Sequence, residues 1–233
     1  MLLHVFWHRK EKKGMRHEVK IWLKDPANIF PVATILLAAL YLFIGTDVAR
    51  FVVSFNVVIK VFFFCIGIFA ANNFCREYDF GTIRLRRMFY TEGLLFRFRC
   101  FFIGTFLVFA TILLFFPVAK FLKAEGGAEI IALVFAYEIL IVGTANIIGE
   151  WTRNGISSVS VMAVFILAGC YMLPGARCIP TMKEAVVRVI MGETLWTEER
   201  NVAGLSLGVV FFAFVSRMIA SHRYSNGETL RRR

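Results

Sequence analysis

The sequence predicts an all-α, polytopic membrane protein with six transmembrane helices behind an N-terminal amphipathic helix. Three observations carry this. Hydrophobic residues make up 58% of the 233-residue chain and charged residues 18%, whereas a soluble domain has about 45–50% apolar and about 25% charged. The excess is gathered into long, nearly uncharged runs, as helices solvated by lipid require. Lys and Arg, which dominate a formal net charge of +11, flank these runs, where charge orients membrane helices. That placement argues against nucleic acid as the partner of so basic a chain.

Residues 1–28 read as a cytoplasmic, interfacial segment. Met15, Val19, Trp22 and Leu23 share one apolar stripe among Arg16, His17, Glu18, Lys20 and Lys24. A basic amphipathic helix with Trp on its apolar face lies in the membrane surface. Asp25-Pro26 ends it, because proline offers no N–H and disfavours helical geometry in the residue before it. The short apolar stretch Met1–Trp7 is followed, not preceded, by basic residues, so no cleavable signal peptide is expected.

Six apolar spans follow within residues 29–219, at about 29–45, 51–73, 100–118, 129–149, 156–174 and 201–219. About 20 residues cross the hydrocarbon, and every backbone polar group there needs an internal partner, so each span reads as a helix. With the N-terminus in the cytoplasm, the inner segments hold nineteen Lys and Arg against seven outside. Both termini, including the basic tail 220–233, are then cytoplasmic, and the protein belongs in the plasma membrane as a multi-pass chain. The outer loop, about 173–200, is broken by Pro174, Gly175 and Pro180, and Met182–Met191 fits a short amphipathic helix. The five cysteines form no CxxC pair and read as packing thiols; whether Cys170 and Cys178 pair is left open.

The inner loop, about 75–99, carries the most informative stretch. An acidic pair, Glu77 and Asp79, precedes Gly81-Thr82 and then the basic residues Arg84, Arg86 and Arg87. Gly81 permits a sharp turn at the membrane exit. The acids can accept charge-assisted hydrogen bonds, and the arginines can meet acidic protein surfaces or anionic lipid. The bland alternative is a positive-inside loop with two solvated acids. The stretch resembles the signature Glu-x-Glu-x-Gly-Thr of the ABC-2 type permease family, which lies just before that family's cytoplasmic coupling helix. The N-terminal stretch His17–Pro26, which contains Glu18 and Trp22, is similar to the family's basic elbow helix, which commonly ends in a basic-Asp-Pro turn, here Lys24-Asp25-Pro26. Tyr90 and Cys100 depart from the pattern, standing where the family usually has Pro and Lys.

The resemblance implies the transmembrane subunit of an ABC-type exporter moving a hydrophobic or amphipathic substrate, such as a membrane-active peptide or a lipid-like molecule. It implies as partners ABC ATPase subunits that bind ATP and Mg, a second permease copy or a related permease, and the bilayer. The chain itself has no GxxxxGK[ST] and no Gly-Lys dipeptide, so no phosphate-cradling loop and no enzyme activity or cofactor of its own is expected.

Lys60 lies near the middle of span two, with Asn56 one turn away, and Glu138 near the middle of span four. An ionisable residue at that depth costs at least about 2.5 kcal/mol, so it normally has a partner or faces a watery path. Lys60 and Glu138 are expected to approach each other or, with Asn56, to line the translocation path; the bland reading is a structural ion pair. Gly204 and Gly208, and Ala145 and Gly149, are small-xxx-small pairs suited to close helix packing. His4 and His8 are at helical spacing but lack a third ligand, so no metal site is expected. A stand-alone secondary transporter or channel is the alternative function. An intramembrane enzyme is the weaker one, because neither HExxH nor GxSxG occurs.

Overall fold

A computed structural model describes Lys20 and residues 24–45, 47–79, 92–122, 124–167, 182–195 and 200–215. Among them there are seven helices and no strand. We label them α1 (Pro26–Ile44), α2 (Val48–Asp79), α3 (Glu92–Phe121), α4 (Ala124–Thr152), α5 (Gly155–Leu167), α6 (Met182–Ile190) and α7 (Arg200–Val215).

Val48–Cys75 of α2, Arg99–Phe121 of α3 and Glu125–Thr152 of α4 are long and apolar enough to cross a membrane. Asn28–Ile44, Gly155–Leu167 and Arg200–Val215 are apolar but shorter. All six lie on the six apolar runs of the sequence. Their outward faces are as apolar as their buried ones: α1 exposes Phe30, Leu37 and Leu40 while burying Ile35, Ala39 and Leu42. A helix in water would divide into an apolar and a polar face; one surrounded by lipid has no reason to.

The contacts fix the directions. Asn28, near the start of α1, meets Asn73, near the end of α2. Lys120, at the end of α3, meets the last turn of α1. Phe63 lies against Tyr137, and Cys75 against Gly149, so α2 and α4 are parallel and in register. Gly67 faces Met162 and Ile166, and only Arg153 and Asn154 separate α5 from α4, on which it packs, so α5 turns back against α4 and α2. Gly143 meets Val209, and Ser206 donates to Ala136 O at 2.7 Å, which sets α7 parallel to α4. Thus α1, α3 and α5 run one way and α2, α4 and α7 the other. The centre is α2, which packs on α1, α3, α4, α5 and α6. Phenylalanine supplies much of its contact surface, with Phe69 stacked on Phe106 at 4.0 Å and Phe51 on Phe121 at 4.6 Å.

Helix ends differ from the spans expected, and the differences have local causes. Asp25 O accepts from the N–H groups of Asn28 and Ile29, and Pro26 takes the first helical position of α1, where its missing N–H is no loss. The proline expected to end the N-terminal helix starts α1. The inner loop expected at 75–99 is helical at both ends, since α2 continues to Asp79 and α3 begins at Glu92. No proline or glycine interrupts α2 between Gly67 and Asp79. The amphipathic α6 forms where the outer loop was expected to hold one. It buries Ala185 and Val186, and the Leu195 N–H that follows it donates to Glu129 Oε2 at 3.0 Å.

Two turns are held by single side chains. Lys120 Nζ donates to Phe43 O at 2.8 Å and Gly45 O at 3.1 Å, and lies over the Phe43 and Phe121 rings. It closes the end of α1, where carbonyls lack helical partners. Lys120→Met is expected to cost about 1 kcal/mol of stability, read as a lowered midpoint in a detergent melting series. Between α4 and α5, Arg153 adopts φ +50°, and Asn154 Oδ1 accepts from Ser157 N–H at 3.1 Å, capping α5. Asn154→Ala is expected to lose about 1 kcal/mol in the same series, and Asn154→Asp to keep most of it.

Candidate functional site

The polar residues that the bundle buries fall at two levels. At the level of the α2 C-terminal turns, Asn73 Nδ2 donates to Asn28 Oδ1 at 2.9 Å and to Phe69 O at 2.8 Å. Arg99 Nη1 donates to Phe74 O at 3.1 Å, and the Cys75 thiol to Gly149 O at 3.5 Å. These bonds tie α1, α3 and α4 to the last turns of α2. Gly149 matters sterically here, because a Cβ on it would lie 3.1 Å from Cys75 Sγ and 3.2 Å from Phe74 Cβ.

The second level is the middle of α4. Glu138 is fully buried. Thr111 of α3 donates to its Oε2 at 2.9 Å. The same hydroxyl lies 2.9 Å from Leu107 O, so one proton serves two acceptors. Glu138 Oε1 has no hydrogen-bond partner. Register places Lys60 one turn of α2 from this level, since Phe63 meets Tyr137 with ring centroids 5.8 Å apart. No hydrogen bond or ion pair joins Lys60 to Glu138; the acid is held by Thr111 instead. Asn56 Oδ1, one turn further, is buried and also without a hydrogen-bond partner.

The other residues singled out from the sequence are placed as follows. Glu77 and Asp79 belong to the helical backbone of α2, and Asp25 and Pro26 to the start of α1. Glu18, Trp22, Gly81, Thr82, Arg84, Arg86, Arg87, Cys170 and Cys178 lie outside the described residues. Cys65 and Cys75 are buried and Cys100 is exposed. Ala145 and Gly149 pack inward as small residues suit, but Gly204 and Gly208 face open space, where a Cβ on either would meet nothing within 4 Å. Among the described residues no group of three His, Cys, Asp or Glu side chains could hold a metal ion.

Sequence reading missed Thr111, Asn28 and Asn73. A threonine in an apolar helix usually bonds its own preceding turn, so Thr111 gave no signal. The Asn72-Asn73 pair near the end of span two did, being amide side chains in an apolar run. Comparison with protein-family models, with curated proteins and with solved structures returns no match.

Proposed function

We propose that the chain is the transmembrane permease subunit of an ABC-type exporter, with six crossings and both termini in the cytoplasm of the cell that bears it. It moves a hydrophobic or amphipathic substrate, and ATP is hydrolysed with Mg on separate ATPase subunits. The observation that carries the reading is the acidic-pair, Gly-Thr stretch, Glu77 to Thr82, joined directly to α2. A force applied there enters a helix that packs on five others. At 32 residues α2 is about 48 Å long, well over the roughly 30 Å of hydrocarbon, so its end reaches beyond the lipid as a stiff lever. The alternating helix directions support an even number of crossings, and Asn56, Lys60 and Glu138 are assigned to the substrate path between α2, α3 and α4.

A stand-alone secondary transporter is the second reading, favoured by one observation, the under-bonded acid at mid-depth. The two are separated by purification from the native membrane together with an ATPase encoded beside the chain. The expected result is a stable complex whose ATP hydrolysis rises several-fold with some members of a panel of peptides and lipids. Isolation with no nucleotide-hydrolysing companion, or labelling of the Phe80–Thr91 segment from outside the cell, would overturn the exporter.

A further inference from the structure

We infer that Glu138 is the recognition point for an ammonium group on an amphipathic substrate that enters sideways from the lipid, between α3 and α4. This names the substrate class of the path proposed above and rests on that reading. A carboxylate has about four acceptor positions. Glu138 receives one shared proton from Thr111, and Oε1 receives none. Lys60, the basic residue nearest in register, does not bond it. Burying so under-bonded an acid is unfavourable unless a donor or a cation reaches it at some stage of the working cycle.

The surroundings say from where. Thr111 is half-buried, and its neighbours three and four positions away on α3, Val108 and Phe115, are exposed. On α4 the residue three before Glu138, Phe135, is exposed as well. Positions three and four apart share a helix face, so Glu138 lies one side chain beneath the apolar outer surface at the α3–α4 seam. The seam is closed at this level by the Thr111–Glu138 hydrogen bond. An alkyl chain lying in the lipid against Val108, Phe115 and Phe135 would bring a terminal ammonium to Oε1 once Thr111 turns aside. An ammonium supplies three N–H donors and the matching charge. An alcohol of the same length supplies one donor and no charge.

The test uses the purified full-length chain in detergent, with octylammonium chloride and octanol as probes and thermal unfolding as readout. Octylammonium is expected to raise the unfolding midpoint by roughly 4 °C near saturation, as a ligand of the folded state does, while octanol does not. Glu138→Gln keeps the shape and a hydrogen-bonding oxygen toward Thr111 but removes the charge, and is expected to abolish the difference. The inference is overturned if the two probes act alike on the wild-type chain, a result that needs no variant to fold. It is also overturned if E138Q retains the ammonium shift. Because no ATPase is present, ammonium selectivity can hold while the exporter reading fails, or fail while a complex with the ATPase forms.

Discussion

Gly67→Leu is expected to destabilise the bundle more than any other single change at a glycine, by about 3 kcal/mol. Gly67 lies on the face of α2 that packs against α5. Even a Cβ there would overlap Ile166 Cδ1 and crowd two atoms of Met162 at 3.3 Å. Alanine can be absorbed, because Ile166 and Met162 offer the ends of flexible side chains. Leucine cannot, since Met162 and Ile166 are themselves fully packed, and α5 would have to move off α2. For a chain of this size the loss corresponds to a fall of roughly 6–12 °C in the unfolding midpoint. Gly204→Leu and Gly208→Leu are the controls, because a Cβ at either position meets nothing within 4 Å among the described residues. All three variants would be followed by size-exclusion chromatography after graded heating. A G67L midpoint within about 2 °C of the wild type would mean that α5 does not pack where Gly67 places it.

The same glycines show what the sequence could and could not say. Small-xxx-small pairs mark where close approach is possible, but not which face of the helix meets a neighbour. Ala145 and Gly149 are turned inward, whereas Gly204 and Gly208 are turned out, and isolated glycines at 67, 126 and 143 make the closest helix contacts. Apolar runs located every long helix because lipid requires continuous apolar surface and complete backbone hydrogen bonding. They did not locate the helix ends within residues 75–99, because a helix may continue past the lipid wherever nothing breaks it. Lys60 and Glu138 were legible as ionisable groups at mid-span, since depth along a helix follows from residue number. Their partners were not. Which side chain meets Glu138 depends on the rotation of α4 against α3, and that is set by packing at Phe69–Phe106, Phe63–Tyr137 and Cys75–Gly149, contacts without a local sequence pattern.

On the proposed function, replacing the acidic pair, Glu77→Gln with Asp79→Asn, is expected to uncouple the chain from the proposed ATPase while leaving the bundle folded. Both residues belong to the end of α2, beyond the Val48–Cys75 stretch that is apolar enough for lipid. The amides keep size and hydrogen-bonding oxygens and lose only charge. A charge-assisted hydrogen bond to an Arg or Lys contributes about 1.5–3 kcal/mol, so losing even one weakens the contact by roughly tenfold or more. Substrate-stimulated ATP hydrolysis by the co-purified complex is therefore expected to fall by at least about tenfold, with an unchanged unfolding midpoint for the chain alone. Asn73→Leu provides the opposite signature. It removes the bonds to Asn28 and Phe69 that hold the last turns of α2 in place, so it is expected to lower the midpoint as well as the coupling. Should the complex of the acid-pair variant hydrolyse ATP as that of the wild type does, the end of α2 is not where force enters. The length of α2 and its contacts with five other helices would then serve the stability of the bundle alone.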